Sequence, residues 1–318
     1  MAENSAIEWT DYTLNPWSGC SKVSEGCKNC YAEVNYSVKM RGVKWGPKGN
    51  RIVMAESGWK KPLKWDCDAA KAGERRRVFC ASLADVFEDW QGPILGANGE
   101  QVWICGEGWF CGTANEANQL PTQAGVRALT MSDVRARLFR LIDATPNLDW
   151  LLLTKRPENI ARMMPAYFPG YIAEAGAMNQ EGARPNVWLG VSVEDQQRAD
   201  ERIPLLLQAS AAVRFLSCEP LLGPVDLTAH KPPCVPSWWQ GDLNPLSRID
   251  WVIVGSESGH KRRPMEESWA RSLADQCRAA GVSFFMKQMQ VDGKVTGEIG
   301  EFPSDLQIRE FPHVEATT

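Results

Sequence analysis

Val187-Trp188-Leu189-Gly190-Val191-Ser192-Val193-Glu194 is apolar for almost its whole length and then ends on a carboxylate. A run this short, rich in β-branched and aromatic side chains and lacking an alternating polar face, predicts a strand buried on both sides, as in a parallel sheet. Residues 195–208 follow with the spacing of an amphipathic helix, and Ser192 or Asp195 is placed to cap it. The same unit recurs along the chain. Apolar runs at 77–82 (RVFCAS), 150–154 (WLLLT), 213–217 (VRFLS), 251–255 (WVIVG) and 282–286 (VSFFM) each lead into polar residues. Residues 132–144 read as a helix with Ser132 as its N-cap and Val134, Leu138, Leu141 and Ile142 on one face; residues 266–280 read similarly. With a first strand near 7–14 there are about seven strands. Strands alternating with helices predict βαβ units. The expected fold is α/β, a full or partial (β/α) TIM-like barrel with long loop insertions; an open doubly wound sheet is the alternative.

Three regions interrupt the alternation. Residues 39–71 are rich in Lys, Trp, Gly and Pro, residues 91–123 in Gly, Asn and Gln, and residues 229–248 form a third irregular stretch. All are long for plain βα connections. They are read as insertions or lids near the barrel mouth, within one domain spanning 1–318.

Composition narrows the function classes. Of 318 residues, 44% are hydrophobic and 23% charged, as in ordinary globular proteins. No run approaches the roughly 20 apolar residues of a membrane span. The opening MAENSAIEWTD has neither the basic start nor the apolar core of a secretory signal, so a cytoplasmic location and no membrane partner are expected. A net charge of −4 argues against a basic coat protein for nucleic acid, though a local basic groove is compatible with it. Arg75-Arg76-Arg77 and His260-Lys261-Arg262-Arg263 are the basic runs, each ordinarily a solvated surface. Trp59, Trp65, Trp90, Trp103, Trp109, Trp238 and Trp239 fall outside the strands. They are read as packing beneath long loops, with a stacking surface for bases as the sharper alternative.

The cysteines carry the chemistry. Three of the ten fall within eleven residues, in Asn15-Pro16-Trp17-Ser18-Gly19-Cys20 and Gly26-Cys27-Lys28-Asn29-Cys30-Tyr31-Ala32-Glu33. The spacing is Cys-x6-Cys-x2-Cys. It follows the first strand directly, which in a barrel is the face that bears active sites. Structural zinc closes with four ligands, and electron-transfer clusters take four cysteines. Three thiolates on a four-iron cluster leave one iron open to a ligand. A zinc site completed by a distant fourth ligand and a set of unliganded thiols are the alternatives. Cys67, Cys105 and Cys111 are candidates for a second metal. Several of the remaining cysteines lie beside apolar residues, where free Cys is usually a small buried hydrophobe. His230, His260 and His313 show no metal spacing.

Polar residues close nearly every apolar run: Ser82 and Asp85; Thr154, Lys155 and Arg156; Ser192, Glu194 and Asp195; Ser217 and Glu219; Ser256, Glu257 and Ser258; Lys287 and Gln288. A barrel gathers such strand ends on one face.

The cysteine segment, taken with Ser82-Leu83-Ala84-Asp85-Val86-Phe87, Leu153-Thr154-Lys155-Arg156-Pro157, Leu189-Gly190-Val191-Ser192-Val193-Glu194, Ser217-Cys218-Glu219-Pro220-Leu221 and Val254-Gly255-Ser256-Glu257-Ser258-Gly259, resembles an uncharacterised family of phage and prophage proteins described as radical-SAM-like. The resemblance spans about residues 7–288. It implies a barrel of the radical SAM type with a [4Fe–4S] cluster on Cys20, Cys27 and Cys30. It further implies reductive cleavage of S-adenosylmethionine (SAM) and hydrogen abstraction from a substrate, with nucleic acid or a nucleotide as a candidate. An electron donor such as flavodoxin or ferredoxin is the implied partner. Under this reading Tyr31, Ser82, Thr154, Lys155, Ser192, Glu194, Glu219 and Glu257 are candidates for contacts to SAM. The three glutamates suit its ammonium or ribose; Lys155, with Arg156, suits its carboxylate or an anionic substrate. The motif departs from the commonest superfamily pattern in its six-residue first gap. It also has Asn29 before the third cysteine, where an aromatic is usual, and Tyr31 after it. The alternative function is a non-catalytic zinc- or cluster-binding interaction protein of phage origin. A metal-free hydrolase would need a nucleophile–base pair, which the sequence does not present.

Overall fold

In the computed structural model, which describes residues 5, 7–34, 42–105, 108–111, 126–165, 183–228, 244–259 and 261–313, the apolar runs pair side by side in chain order. They are β1 (Tyr12–Leu14), β2 (Arg76–Cys80), β3 (Leu148–Thr154), β4 (Val187–Ser192), β5 (Val213–Cys218), β6 (Trp251–Gly255) and β7 (Ser283–Val291). Every neighbouring pair among these seven is parallel. An eighth strand, β8 (Lys294–Thr296), returns antiparallel to β7. The turn between them is Asp292-Gly293, both at positive φ (47° and 75°), the conformation a two-residue hairpin needs and that Asp-Gly supplies readily. The sheet curls into a half-barrel, with β1 and β8 at its opposite edges.

Parallel neighbours need a crossover, and helices supply most of them. They are α1 (Lys61–Ala72) between β1 and β2, α2 (Met131–Asp143) between β2 and β3, α3 (Gln196–Leu206) between β4 and β5, and α4 (Glu267–Ala280) between β6 and β7. The cap of α2 is Thr130, not Ser132. Thr130 and Asp133 form a reciprocal capping box, so the helix starts one position before Ser132. At α3 the cap is Asp195, whose carboxylate accepts from the Arg198 amide at 2.9 Å.

The region 39–71 is less irregular than its composition suggests. It contains the strand Arg51–Val53 and most of α1, whose buried face is Pro62, Trp65 and Ala69 and whose end is set by Gly73 in the left-handed conformation. Pro in the first turn and Gly just past the last turn are helix punctuation rather than loop chemistry. Residues 91–123 hold the short strands Ile94–Leu95, Val102–Cys105 and Gly108–Cys111, and residues 112–123 lie outside the described residues. So do residues 229–243, which include Cys234, His230, Trp238 and Trp239, as well as His260 and the side chains of Cys105 and Cys111.

Both faces of the sheet are buried, which explains the continuous apolar character of its strands. Val78, Cys80, Trp150, Leu152, Leu189, Val191, Leu216, Val252, Val254, Phe284 and Met286 belong to the large core that includes the helices. The alternate residues Phe79, Leu151, Trp188, Phe215, Trp251, Ile253 and Phe285 pack together with Trp9 as a separate, aromatic-rich plug. Gly190 makes room for it: a Cβ there would stand 2.4 Å from the Phe215 ring. Trp59, Trp65 and Trp90 are buried, which favours the packing account of the loop tryptophans.

Candidate functional site

Moving two residues toward the carboxyl end of each strand keeps a side chain on the same face. On the plug's face that step turns apolar residues into polar ones. Leu151 leads through Leu153 to Lys155, Trp188 through Gly190 to Ser192, Phe215 to Ser217, and Phe285 to Lys287. Ser192 and Ser217 stand opposite each other in the β4–β5 register. Above the plug is a cavity of about 440 Å³. Small-molecule sites run from about 300 to 1,000 Å³, so it accommodates a ligand of that size.

The cavity gathers Cys20, Cys27, Cys30, Tyr31, Ser82, Asp85, Thr154, Lys155, Arg156, Ser192, Ser217, Glu219, Ser258, Lys287 and Gln288. The three cysteines of the motif therefore share one space with the ends of β2, β3, β4, β5 and β7. All three are free thiols and half-buried. Among the described residues, no group of three or more His, Cys, Asp and Glu side chains is arranged to hold a single metal ion. Three thiolates on one ion surround a common centre, whereas on a four-iron cube each meets a different corner.

Buried charged groups fix the cysteine loop at three places. The first is Cys20-Ser21. The Ser21 amide donates to Glu88 Oε1 at 2.9 Å and its carbonyl accepts from Arg156 Nη2 at 2.7 Å. Arg156 Nη1 lies 3.5 Å from Cys20 Sγ and 2.9 Å from Asp85 Oδ2. Glu88 accepts in turn from Nε and Nη2 of Arg51, at 2.7 and 2.6 Å, and Arg51 lies over the Trp90 ring at 3.7 Å. Gly19 turns the chain into this position at φ +113°, where a Cβ would stand 2.7 Å from the Asn50 carbonyl oxygen. Burial pushes the Cys20 thiol up to about 12, against the pull of Arg156 and with a push from Glu88 and Asp85. Replacing the proton with a metal removes that desolvation cost in favour of a metal–thiolate bond.

The second place is the turn before Cys27. The Ser24 hydroxyl donates to Glu194, and Gly26 packs so closely on that carboxylate that a Cβ would meet Oε1 at 2.8 Å. Glu194 is fully buried and paired to Arg202 at 2.7 Å. Burial raises its carboxyl, but Lys155, Arg202 and Ser24 together bring it below the usual carboxylate range. The third place is Asn29, between Cys27 and Cys30. Its amide donates to Glu257 Oε2 at 3.0 Å and to the Lys261 carbonyl at 2.8 Å. Glu257 is gripped by Arg263 through Nε at 3.0 Å and Nη2 at 2.5 Å. Here too burial raises the carboxyl, and the Arg263 and Asn29 hydrogen bonds bring it down overall.

Of the eight residues expected to contact a cofactor, six line the cavity: Tyr31, Ser82, Thr154, Lys155, Ser192 and Glu219. Glu194 and Glu257 stand behind the cysteine loop and brace it. The Tyr31 hydroxyl donates to the Ser82 carbonyl at 2.9 Å, and the Ser82 side chain meets Asn15. Thr154 donates to Asp85 at 2.7 Å, and Asp85 also accepts the Lys155 amide. Lys155 Nζ donates to Ser192 Oγ at 2.8 Å and forms no ion pair among the described residues. Lys287 pairs with Glu219 Oε2 at 2.5 Å, while Glu219 Oε1 is buried and has no hydrogen-bond partner among the described residues. An acceptor placed this way beside a cavity can accept from a water or from a ligand donor.

Sequence reasoning did not find Glu88, Arg51 or Arg202, and it reads Arg263 as part of a solvated basic run although it grips Glu257. Glu88 and Arg51 act through partners distant in sequence and Arg202 through the helix it helps dock, and no local spacing marks them. Cys80, Cys218 and Cys277 are buried in the core and Cys67 is exposed on α1.

A family model described as "Protein of unknown function (DUF5131)" matches residues 4–91 and 127–298, so the chain belongs to that family. The internal stretch it leaves unmatched, 92–126, nearly coincides with the insertion read from composition at 91–123. No curated protein and no solved structure matches the chain.

Proposed function

From that membership, which carries no function of its own, and from the cavity, we propose that this protein is a radical SAM enzyme on a partial TIM-like barrel. Cys20, Cys27 and Cys30 would hold a [4Fe–4S] cluster. One observation carries the reading: three free thiols of a single loop face the same cavity as the polar ends of five parallel strands. When bound, a cluster with one open iron supplies an electron and a chelation site for the reductive cleavage of SAM, from which hydrogen abstraction follows.

The chain's own residues have definable tasks. Arg156 offsets negative charge at Cys20 and ties Ser21 to the end of β3. Glu194 and Glu257 hold the turn before Cys27 and the link between Cys27 and Cys30, so the thiols keep their spacing. Lys155, with Ser192 and Ser217 beside it, suits a carboxylate. Glu219 Oε1 suits an ammonium or hydroxyl donor, with Lys287 holding the other oxygen in place. The aromatic plug closes the cavity floor to water from below, and exclusion of water is the protein's part in protecting radical chemistry. The reductant is a soluble electron carrier of the flavodoxin or ferredoxin kind.

The test is oxygen-free reconstitution with iron and sulfide. The reading expects a brown protein with about four iron and four sulfide per chain. A colourless protein carrying one zinc and no sulfide would contradict it, and would support the non-catalytic zinc-binding alternative.

A further inference from the structure

The cavity lining balances Glu8, Asp85 and Glu219 against Lys155, Arg156 and Lys287, so any excess charge beside it comes from the adjoining loops. The chain carries −4, yet two loops at the mouth are cationic. Residues 42–50, between β1 and β2, bring Trp45 to the cavity wall with Lys44 and Lys48 exposed beside it. The Gly46 amide donates to the Cys20 carbonyl, which ties this loop to the cysteines. Ser258 and Gly259, after β6, reach the same cavity, and Lys261 and Arg262 follow them. The Lys261 carbonyl accepts from Asn29, so this loop is tied to the cysteines as well.

The neighbouring cations Lys22, Lys28 and Arg263 are neutralised by Glu33, Glu25 and Glu257. Lys44, Lys48, Lys261 and Arg262 have no ion pair among the described residues; Arg262 donates only to the carbonyls of Gly259 and Gly293. Four cations without an ion pair among the described residues thus lie in the two loops that bring Trp45, half-buried, and Ser258 and Gly259 to the cavity wall.

We infer that this mouth binds the phosphate backbone of a single-stranded nucleic acid, with Trp45 as the stacking surface for a base turned toward the cavity. The inference rests on the cavity being the reaction site. Cations that track a backbone and an aromatic that stacks its bases are the two requirements of single-strand binding. A base turned out of the strand also gives the cavity something to receive. An acidic protein surface would meet the same four cations but leave Trp45 and the cavity unused.

The experiment is a salt series of fluorescence anisotropy titrations. Short fluorescein-labelled single strands of DNA and of RNA are titrated with the reconstituted full-length protein. Four phosphate contacts at about 0.7 each predict a slope of about −3 for log affinity against log salt. Combining Lys44→Glu, Lys48→Glu and Lys261→Glu should weaken binding at least ten-fold and flatten the slope to about −1. Trp45→Ala should weaken binding while leaving the slope unchanged. Iron content and unfolding temperature equal to wild type establish that the triple variant is folded.

A wild-type slope near zero overturns the inference whatever the variants do. Unchanged affinity in the folded triple variant overturns it too. So does the absence of oligonucleotide binding together with an acidic electron carrier that the triple variant no longer binds. SAM cleavage without oligonucleotide is measured in parallel. Cleavage without oligonucleotide binding defeats this inference alone; salt-dependent oligonucleotide binding without cleavage defeats the reaction reading, and with it the role of the bound strand as substrate, and leaves the binding surface supported.

Discussion

Arg156 Nη1 lies 3.5 Å from Cys20 Sγ, and the same guanidinium bonds Asp85 at 2.9 Å. One side chain therefore joins the first cysteine of the motif to the buried acid that organises the end of β3. Both Arg156 and Asp85 are buried, so removing the cation strands a charge. Arg156→Met should destabilise the protein by about 3–5 kcal/mol, measured by chemical denaturation. Arg156→Lys keeps the charge but loses the fork and should fall between the two. Iron bound per chain after reconstitution should follow the same order. Equal iron in the folded Met variant would show that Arg156 does not serve the cysteine site.

Glu194 gives a pH test. Its carboxyl lies below the ordinary 4.5 in the folded chain, because Lys155 and Arg202 outweigh the effect of burial. Its charged form thus contributes stability that is complete above that value and is lost as pH falls through the lower folded one. Glu194→Gln should be less stable than wild type at neutral pH, since Arg202 is left buried without its partner. The difference should hold down to about pH 5 and shrink below 4.5. A difference that grows on acidification would contradict the assignment.

Gly26→Ala probes the same brace sterically. The added Cβ meets Oε1 of Glu194 at 2.8 Å, and that carboxylate has little room to yield. Overpacking of this kind costs about 1–3 kcal/mol. Unfolding should report that loss, and cluster content should drop with it. Gly223→Ala, where a Cβ meets nothing within 4 Å, is the control.

Lys155 is the cavity cation that forms no salt bridge among the described residues, with Glu194 acting on it only at longer range. If it receives an anionic group, Lys155→Met removes a charged hydrogen bond worth about 1.5–3 kcal/mol. Calorimetry should then show SAM affinity lowered by about ten- to a hundred-fold. Unchanged affinity would move the anion to another part of the cavity.

The strands were legible because burial on both faces leaves a continuous apolar run, and all seven expected runs pair in order. The polar strand ends were legible for the same reason, since the change from apolar to polar marks where the plug stops. β8 lies beyond the last expected run at 282–286, although Asp292-Gly293 is a strong hairpin signal. Within 39–71 the Lys- and Trp-rich composition hides α1, whose ends Pro62 and Gly73 mark. The bracing roles of Glu194 and Glu257 were not legible. A carboxylate after a strand reads alike whether it faces a cavity or the back of a loop, and only the third dimension separates Glu219 from these two. Glu88 and Arg51, 37 residues apart, were invisible for a related reason.

The central claim is tested most directly by 5′-deoxyadenosine. The reconstituted protein is reduced with dithionite in the presence of SAM, and the product is quantified by liquid chromatography beside Cys27→Ala treated identically. The account predicts 5′-deoxyadenosine from the wild type and none above background from Cys27→Ala, together with loss of its iron. Wild-type protein with a full complement of iron and sulfide that yields no 5′-deoxyadenosine, or a Cys27→Ala variant that yields as much as wild type, would contradict it.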